Sequence, residues 1–85
     1  MTAEEIRARV KEAIAKVSKI DPRTIGDHAS FRDHLGMDSL SILETIVEVQ
    51  CRFKIPDVSD EEYAGIRTLD QAVGLVEKHL GLQAV

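Results

Sequence analysis

The sequence predicts an all-α fold: a small four-helix bundle of three longer helices and one short helix, with a long loop between helices one and two. Two observations carry this. Apolar residues recur at intervals of three and four in separate stretches, the period of a helix with a buried face. Each stretch begins at a Thr, Asp or Ser suited to cap a helix, and Pro or Gly follows its end. No alternating strand pattern, internal repeat or low-complexity segment competes with this.

Thr2 and Glu5 have the spacing of a capping box, which makes Thr2 the N-cap of a first helix running to about Lys19. Ile6, Val10, Ala13, Ile14 and Val17 form its apolar stripe, and Glu4, Arg7, Arg9, Lys11, Glu12 and Lys16 its solvated face. Asp21-Pro22 stops that helix, because proline disfavours a helical residue before it. Residues 21–37 then form a loop containing Gly26 and Gly36. A loop this long in a small chain needs side chains of its own to pack it, and Ile20, Ile25, Phe31 and Leu35 are expected to plug into the core.

Asp38 is the expected N-cap of the second helix, which runs to about Phe53. At about 100° per residue, Ile42, Ile46, Val49 and Phe53 share one stripe, while Leu40, Leu43 and Val47 form another roughly 125° away. Asp38, Glu44, Glu48 and Cys51 border this second stripe. One buried stripe suffices for a helix on the surface of a small protein, so the second is either additional core or an exposed patch for a partner. Pro56 and Asp57 break the chain again. Ser59 and Glu62 form a capping box for a short helix over residues 60–64, ended by Gly65. Thr68 caps the last helix, whose stripe is Leu69, Ala72, Val73, Val76 and Leu80, and Gly81 closes it.

The length allows one domain over residues 1–85, with a stability on the order of 5 kcal/mol and little room for both a core and a deep catalytic cleft. The net charge of -4, from 11 Lys and Arg against 15 Asp and Glu, argues against nucleic acid and suits partners with basic docking patches. The lone Cys51 excludes an internal disulfide and fits a reducing compartment. Neither a signal peptide nor an apolar run of membrane-spanning length is present, so a cytoplasmic protein without membrane insertion is expected.

His28, His34 and His79 lack metal-ligand spacing with one another or with Cys51 and are read as ordinary loop or surface residues, His79 complementing a helix dipole. No metal site is expected. Apart from Arg52, Cys51 has no basic sequence neighbour to activate its thiol. Ser39 with His34 or Asp38 lacks the Gly-x-Ser-x-Gly setting of a hydrolase. The acidic run from Asp57 to Glu61 lacks the glycine and spacing of a calcium loop. Asp38-Ser39 remains. A serine in a first helical turn is presented to solvent beside a partial positive charge, a place to attach an anionic group such as a phosphodiester. On residues alone, a plain N-cap is the better explanation of the dipeptide.

The segment Leu35-Gly36-Met37-Asp38-Ser39-Leu40 resembles the prosthetic-group site of acyl carrier proteins. Phe31 and Asp33 match the family's loop before that motif, Phe53 the aromatic that ends its second helix, Val58 to Glu62 the start of its third, and Ile66 to Leu69 the approach to its fourth. The resemblance covers nearly the whole chain and suits a free-standing carrier. It implies a 4'-phosphopantetheine arm on Ser39, attached by a phosphopantetheinyl transferase, with Asp38 and Leu40 completing the motif. It implies a carrier that is no enzyme itself and presents thioester-bound acyl chains to fatty-acid synthesis enzymes. Those partners include acyl or malonyl transferases and ketosynthases. It also implies a monomer that docks through Asp38, Leu40, Leu43, Glu44 and Val47.

Two departures qualify the pathway. Ser41, Gln50, Cys51 and Arg52 stand where the bacterial fatty-acid carriers are usually acidic, and Lys54-Ile55-Pro56-Asp57 makes the junction before the third helix about one residue longer than expected. A less acidic face steers more weakly toward basic patches. The alternatives are therefore a polyketide or specialised lipid carrier and, from a different class, an unmodified helical interaction module.

Overall fold

The computed structural model of the protein describes residues 2–55 and 58–81. Four α-helices follow one another: α1 (Ala3–Ser18), α2 (Ser39–Phe53), α3 (Asp60–Gly65) and α4 (Leu69–Leu80). There is no strand among the described residues, only an isolated antiparallel bridge between Ser30 and Thr68. The bundle is the small all-α fold that the periodicity predicts.

Side-chain caps set the helix starts. Thr2, Asp38, Ser59 and Thr68 each accept a hydrogen bond from the backbone N–H of the third helical residue, satisfying a donor that helix geometry leaves open. The Thr2–Glu5 and Ser59–Glu62 boxes form as expected, and Gln71 completes a third with Thr68. Gly81 closes α4 with φ 68°, but α1 and α2 end on lysines, Lys19 (φ 57°) and Lys54 (φ 54°), in the left-handed region that favours glycine. Gly65 does not stop α3 as expected. It is the last helical residue, and extended Ile66 turns the chain, its N–H donating to the Tyr63 carbonyl at 3.2 Å. The expected break at Pro56-Asp57 lies outside the described residues.

Helix α1 packs against both α2 and α4, which touch each other less. Its Ile6, Val10, Ala13 and Ile14 are buried against Ile46, Val49 and Phe53 of α2 and Leu69, Ala72, Val73 and Val76 of α4 in one core. Three stripe residues depart from the expectation, the first being Val17 in the last turn of α1, which is only half-buried. Leu80, in the last turn of α4, is 37 % exposed, so the buried stripe ends a turn early and Leu75 joins the core. Ile42 is half-buried: it packs against the core and also lines a cleft. Thr45 lies on the flank of the buried stripe of α2, on the side away from the second stripe, and is 1 % exposed. Its hydroxyl is satisfied within the helix, donating to the Ser41 carbonyl at 2.8 Å.

The long loop packs on its own side chains. It contains a 3-10 turn (Pro22–Thr24) and buries Ile25, Ala29, Phe31 and Met37, while Ile20 and Leu35 are half-buried against the core. Phe31 is its pin. The ring is fully buried, its N–H donates to the Arg67 carbonyl at 2.9 Å, and its carbonyl accepts from Met37 N–H at 2.9 Å. The loop is thereby tied to the approach to α4 on one side and to the start of α2 on the other.

Candidate functional site

Between Ser30 and Gly36 the chain makes a compact turn. His34 and Leu35 N–H donate to the Ser30 carbonyl at 3.0 and 3.3 Å, and the Gly36 N–H to the Arg32 carbonyl at 3.2 Å. The imidazole of His34 is part of this turn, its Nδ1 accepting from Ser30 N–H at 2.8 Å. Gly36 leaves the turn with φ 63°, a conformation glycine adopts without a Cβ penalty. Met37, 5 % exposed, anchors the chain in the core. The next residue is the cap of α2.

Asp38 Oδ1 accepts from Ser41 N–H at 2.8 Å. That backbone bond is the main reason its carboxyl is held below the usual carboxylate range, and the nearby Arg32 charge lowers it further. Ser39 is the first residue of α2 and is exposed. Helix geometry leaves the amides of this first turn without intrahelical acceptors, so the serine stands in a field that favours an anion. Its Oγ accepts a hydrogen bond from Arg32 Nη2 at 2.5 Å.

Beside Ser39 opens a cleft of about 790 Å³. Buried Ile46 and Ile66 with half-buried Ile42 and Tyr63 form its apolar wall, and the exposed Arg32, Asp33, Ser39, Asp60 and Arg67 form its rim. Helix α3, which contributes no buried residue, closes one side and is held by polar contacts. The Tyr63 hydroxyl donates to Gln50 Oε1 of α2 at 2.7 Å. Glu62 is pulled down to about 2, first by the Ser59 N–H it accepts from and then by His79 at 3.0 Å, with Lys78 adding its charge. His79 thus joins α3 to α4, a role its position in the sequence did not suggest.

Leu40, Leu43 and Val47 are 62, 44 and 47 % exposed, which decides between the two readings of the second stripe: it is surface and not core. Asp38 and Glu44 border it, both exposed. Glu48 does not. It turns to Arg52 at 2.9 Å and Lys16 of α1 at 3.3 Å, and the first of these chiefly holds its carboxyl low. Cys51 is a free, exposed thiol. Among the described residues no group of three or more His, Cys, Asp or Glu is arranged to hold a metal ion, and no helix is long and apolar enough to cross a membrane.

The structure therefore brings Asp38, Ser39 and Leu40 together with Leu43, Glu44 and Val47 along one exposed edge of α2, with the cleft next to it. Arg32, Tyr63 and Arg67 were not singled out as site residues from the sequence. Six residues of irregular chain (33–38) separate Arg32 from Ser39, so no periodicity links them.

The model of a family described as the phosphopantetheine attachment site matches residues 8–76. The meromycolate extension acyl carrier protein of Mycobacterium tuberculosis is 37 % identical over 78 residues, covering 92 % of this chain and 67 % of that protein. An acyl carrier protein of Rhodococcus erythropolis is 35 % identical over 77 residues, covering 91 % and 84 %. The solved acyl carrier protein of Enterococcus faecalis superposes with a TM-score of 0.70 at 29 % identity, covering 93 % of this chain and 99 % of that one.

Proposed function

Since this chain belongs to the acyl carrier protein family, whose defining feature is the phosphopantetheine attachment site, we propose that Ser39 is the residue that bears the arm. The observation that carries this is the exposed Ser39 hydroxyl in the first turn of α2, with a guanidinium 2.5 Å from Oγ and an apolar cleft beside it. These residues fit a phosphodiester: an accessible oxygen, a helix N-terminus and a cation. When bound, the arm supplies a terminal thiol that holds acyl groups as thioesters. Asp38 fixes the helix start from which Ser39 projects, and Ile42, Ile46, Ile66 and Tyr63 offer an acyl chain shelter from water.

The partners follow from the same reading. A phosphopantetheinyl transferase, acyl or malonyl transferases and ketosynthases act on the chain, which is their substrate and catalyses nothing itself. They dock on Asp38, Leu40, Leu43, Glu44 and Val47, an exposed apolar patch with an acidic margin beside the reacting serine. A cytoplasmic monomer, folded as one domain, is the form in which we place it. The leading pathway is fatty-acid synthesis. A specialised lipid pathway is the second reading. It is favoured by relatives named for meromycolate extension and by the engagement of Glu48 with cations, which thins the acidic margin.

Incubation with a phosphopantetheinyl transferase and coenzyme A, followed by intact mass, tests the assignment. The expected result is a gain of one phosphopantetheine by the natural chain and none by Ser39→Ala. No gain, or a gain that survives the substitution, overturns it.

A further inference from the structure

The side chain of Arg32 is no part of the core, and its charge acts on the nearby Asp38 carboxylate. It is exposed, and among the described residues its one polar contact is the Ser39 hydroxyl. That is a poor match. A guanidinium carries five donors and a full charge, and a neutral hydroxyl oxygen engages one donor and none of the charge. Asp33 and Asp60 line the same cleft, yet neither is paired with Arg32. The backbone makes the placement firm. Arg32 follows the buried Phe31 and its carbonyl accepts the Gly36 N–H, so its Cα is held at the rim while the side chain reaches Oγ.

We propose that Arg32 is a binding residue for the phosphodiester on Ser39, its guanidinium fork pairing with the non-bridging oxygens and seating the root of the arm at the mouth of the cleft. The inference rests on Ser39 as the attachment point. The non-bridging oxygens lie two bonds from Oγ, so a guanidinium already at 2.5 Å needs only a small side-chain shift to meet them. A phosphodiester on Ser39 places a negative charge beside the Asp38 carboxylate, which its bond to Ser41 N–H keeps in place. Like charges on adjacent residues repel, and Arg32 is the cation close to both. Finally, a planar fork matches phosphate oxygens in pairs, which adds direction to the attraction. The arm would then leave the protein pointing along the rim instead of rotating freely about the serine.

The experiment uses the chain loaded with the bare arm. Intact mass is read first, because no gain of phosphopantetheine strikes the Ser39 reading itself and removes the premise. On the loaded protein, the Arg32 Nε–Hε proton should shift downfield relative to the unloaded form, and the phosphorus resonance should move in Arg32→Ala. Arg32→Lys should restore part of that shift, since it keeps the charge and loses the fork. Arg67→Ala is the control, an arginine on the same rim whose side chain is not bonded to Ser39. The proposal is overturned by an Arg32 proton that ignores loading, by a phosphorus resonance indifferent to Arg32→Ala, or by an equal response to Arg67→Ala. Because the Arg32 proton is read in the natural chain, it decides the matter even if a variant folds poorly.

Discussion

Phe31 is the residue on which the loop, the start of α2 and the rim of the cleft jointly depend. It is fully buried, and its backbone joins Arg67 to Met37. A buried phenylalanine removes about 150–250 Å² from water. At about 25 cal/mol per Å² this sets an upper bound of roughly 4–6 kcal/mol, because the unfolded chain already hides part of that surface. Truncation to alanine also leaves a cavity, and such substitutions cost about 3–5 kcal/mol. An 85-residue chain has roughly 4–13 kcal/mol in total. Phe31→Ala therefore removes a large part of the stability, and Phe31→Leu, which keeps most of the volume, costs about 1–1.5 kcal/mol.

Urea unfolding followed by far-UV circular dichroism measures both. With a slope near 1 kcal/mol per M, the midpoint should fall by about 3 M or more for alanine and about 1 M for leucine, at unchanged slope. If Phe31→Ala loses less than about 1 kcal/mol, the loop is not pinned by this ring and the account of how Arg32 and Ser39 are positioned fails with it.

Two further outcomes follow from the caps and charges. Lys19 ends α1 in the left-handed region, which costs a residue with a Cβ about 1–2 kcal/mol; Lys19→Gly should relieve that strain, partly offset by glycine's greater freedom when unfolded, and raise stability by about 0.5–1 kcal/mol in the same urea assay, while a loss would show that the lysine side chain matters more than its backbone. Glu62, at about 2, Asp27 beside Lys11 and Asp70 beside His28 all have lowered carboxyl values in the folded state, so their contribution is fully present above the ordinary carboxylate range and is lost as pH falls from about 4.5 toward 2; Glu62→Gln should flatten that fall, and an unchanged acid profile would refute the role given to the Glu62–His79 contact.

What the sequence made legible is what local chemistry decides. Thr2, Asp38, Ser59 and Thr68 cap helices because a short side-chain oxygen reaches an open N–H within the same turn, and that needs no tertiary context. The stripes of α1 and α4 were legible because a helix packed on one face repeats every three or four residues. The same logic misses Met37 and Thr45, both buried, since one follows a left-handed glycine in irregular chain and the other is a polar residue on the flank of the buried stripe. It equally misses the contacts of Arg32 with Ser39, Tyr63 with Gln50 and Glu62 with His79. Each joins segments whose separation is fixed by packing, not by a period.

The second stripe of α2 shows where the physical decision was made. Periodicity gives Leu40, Leu43 and Val47 a common face but does not say whether anything covers it. The structure leaves them exposed because α1 packs against the other stripe, while Lys16 and Arg52 draw Glu48 away from the margin. Of the acids flagged at the margin, Asp38 and Glu44 remain exposed. On the proposed reading this divides the labour of recognition. Two carboxylates give weak long-range steering, which salt screens within about 10 Å. The three apolar side chains supply contact area that salt does not weaken. Partner choice then rests more on the shape of the Leu40–Leu43–Val47 ridge than on charge, and Arg32, bonded to Ser39 and close to Asp38 at the end of that ridge, offsets part of the negative charge there.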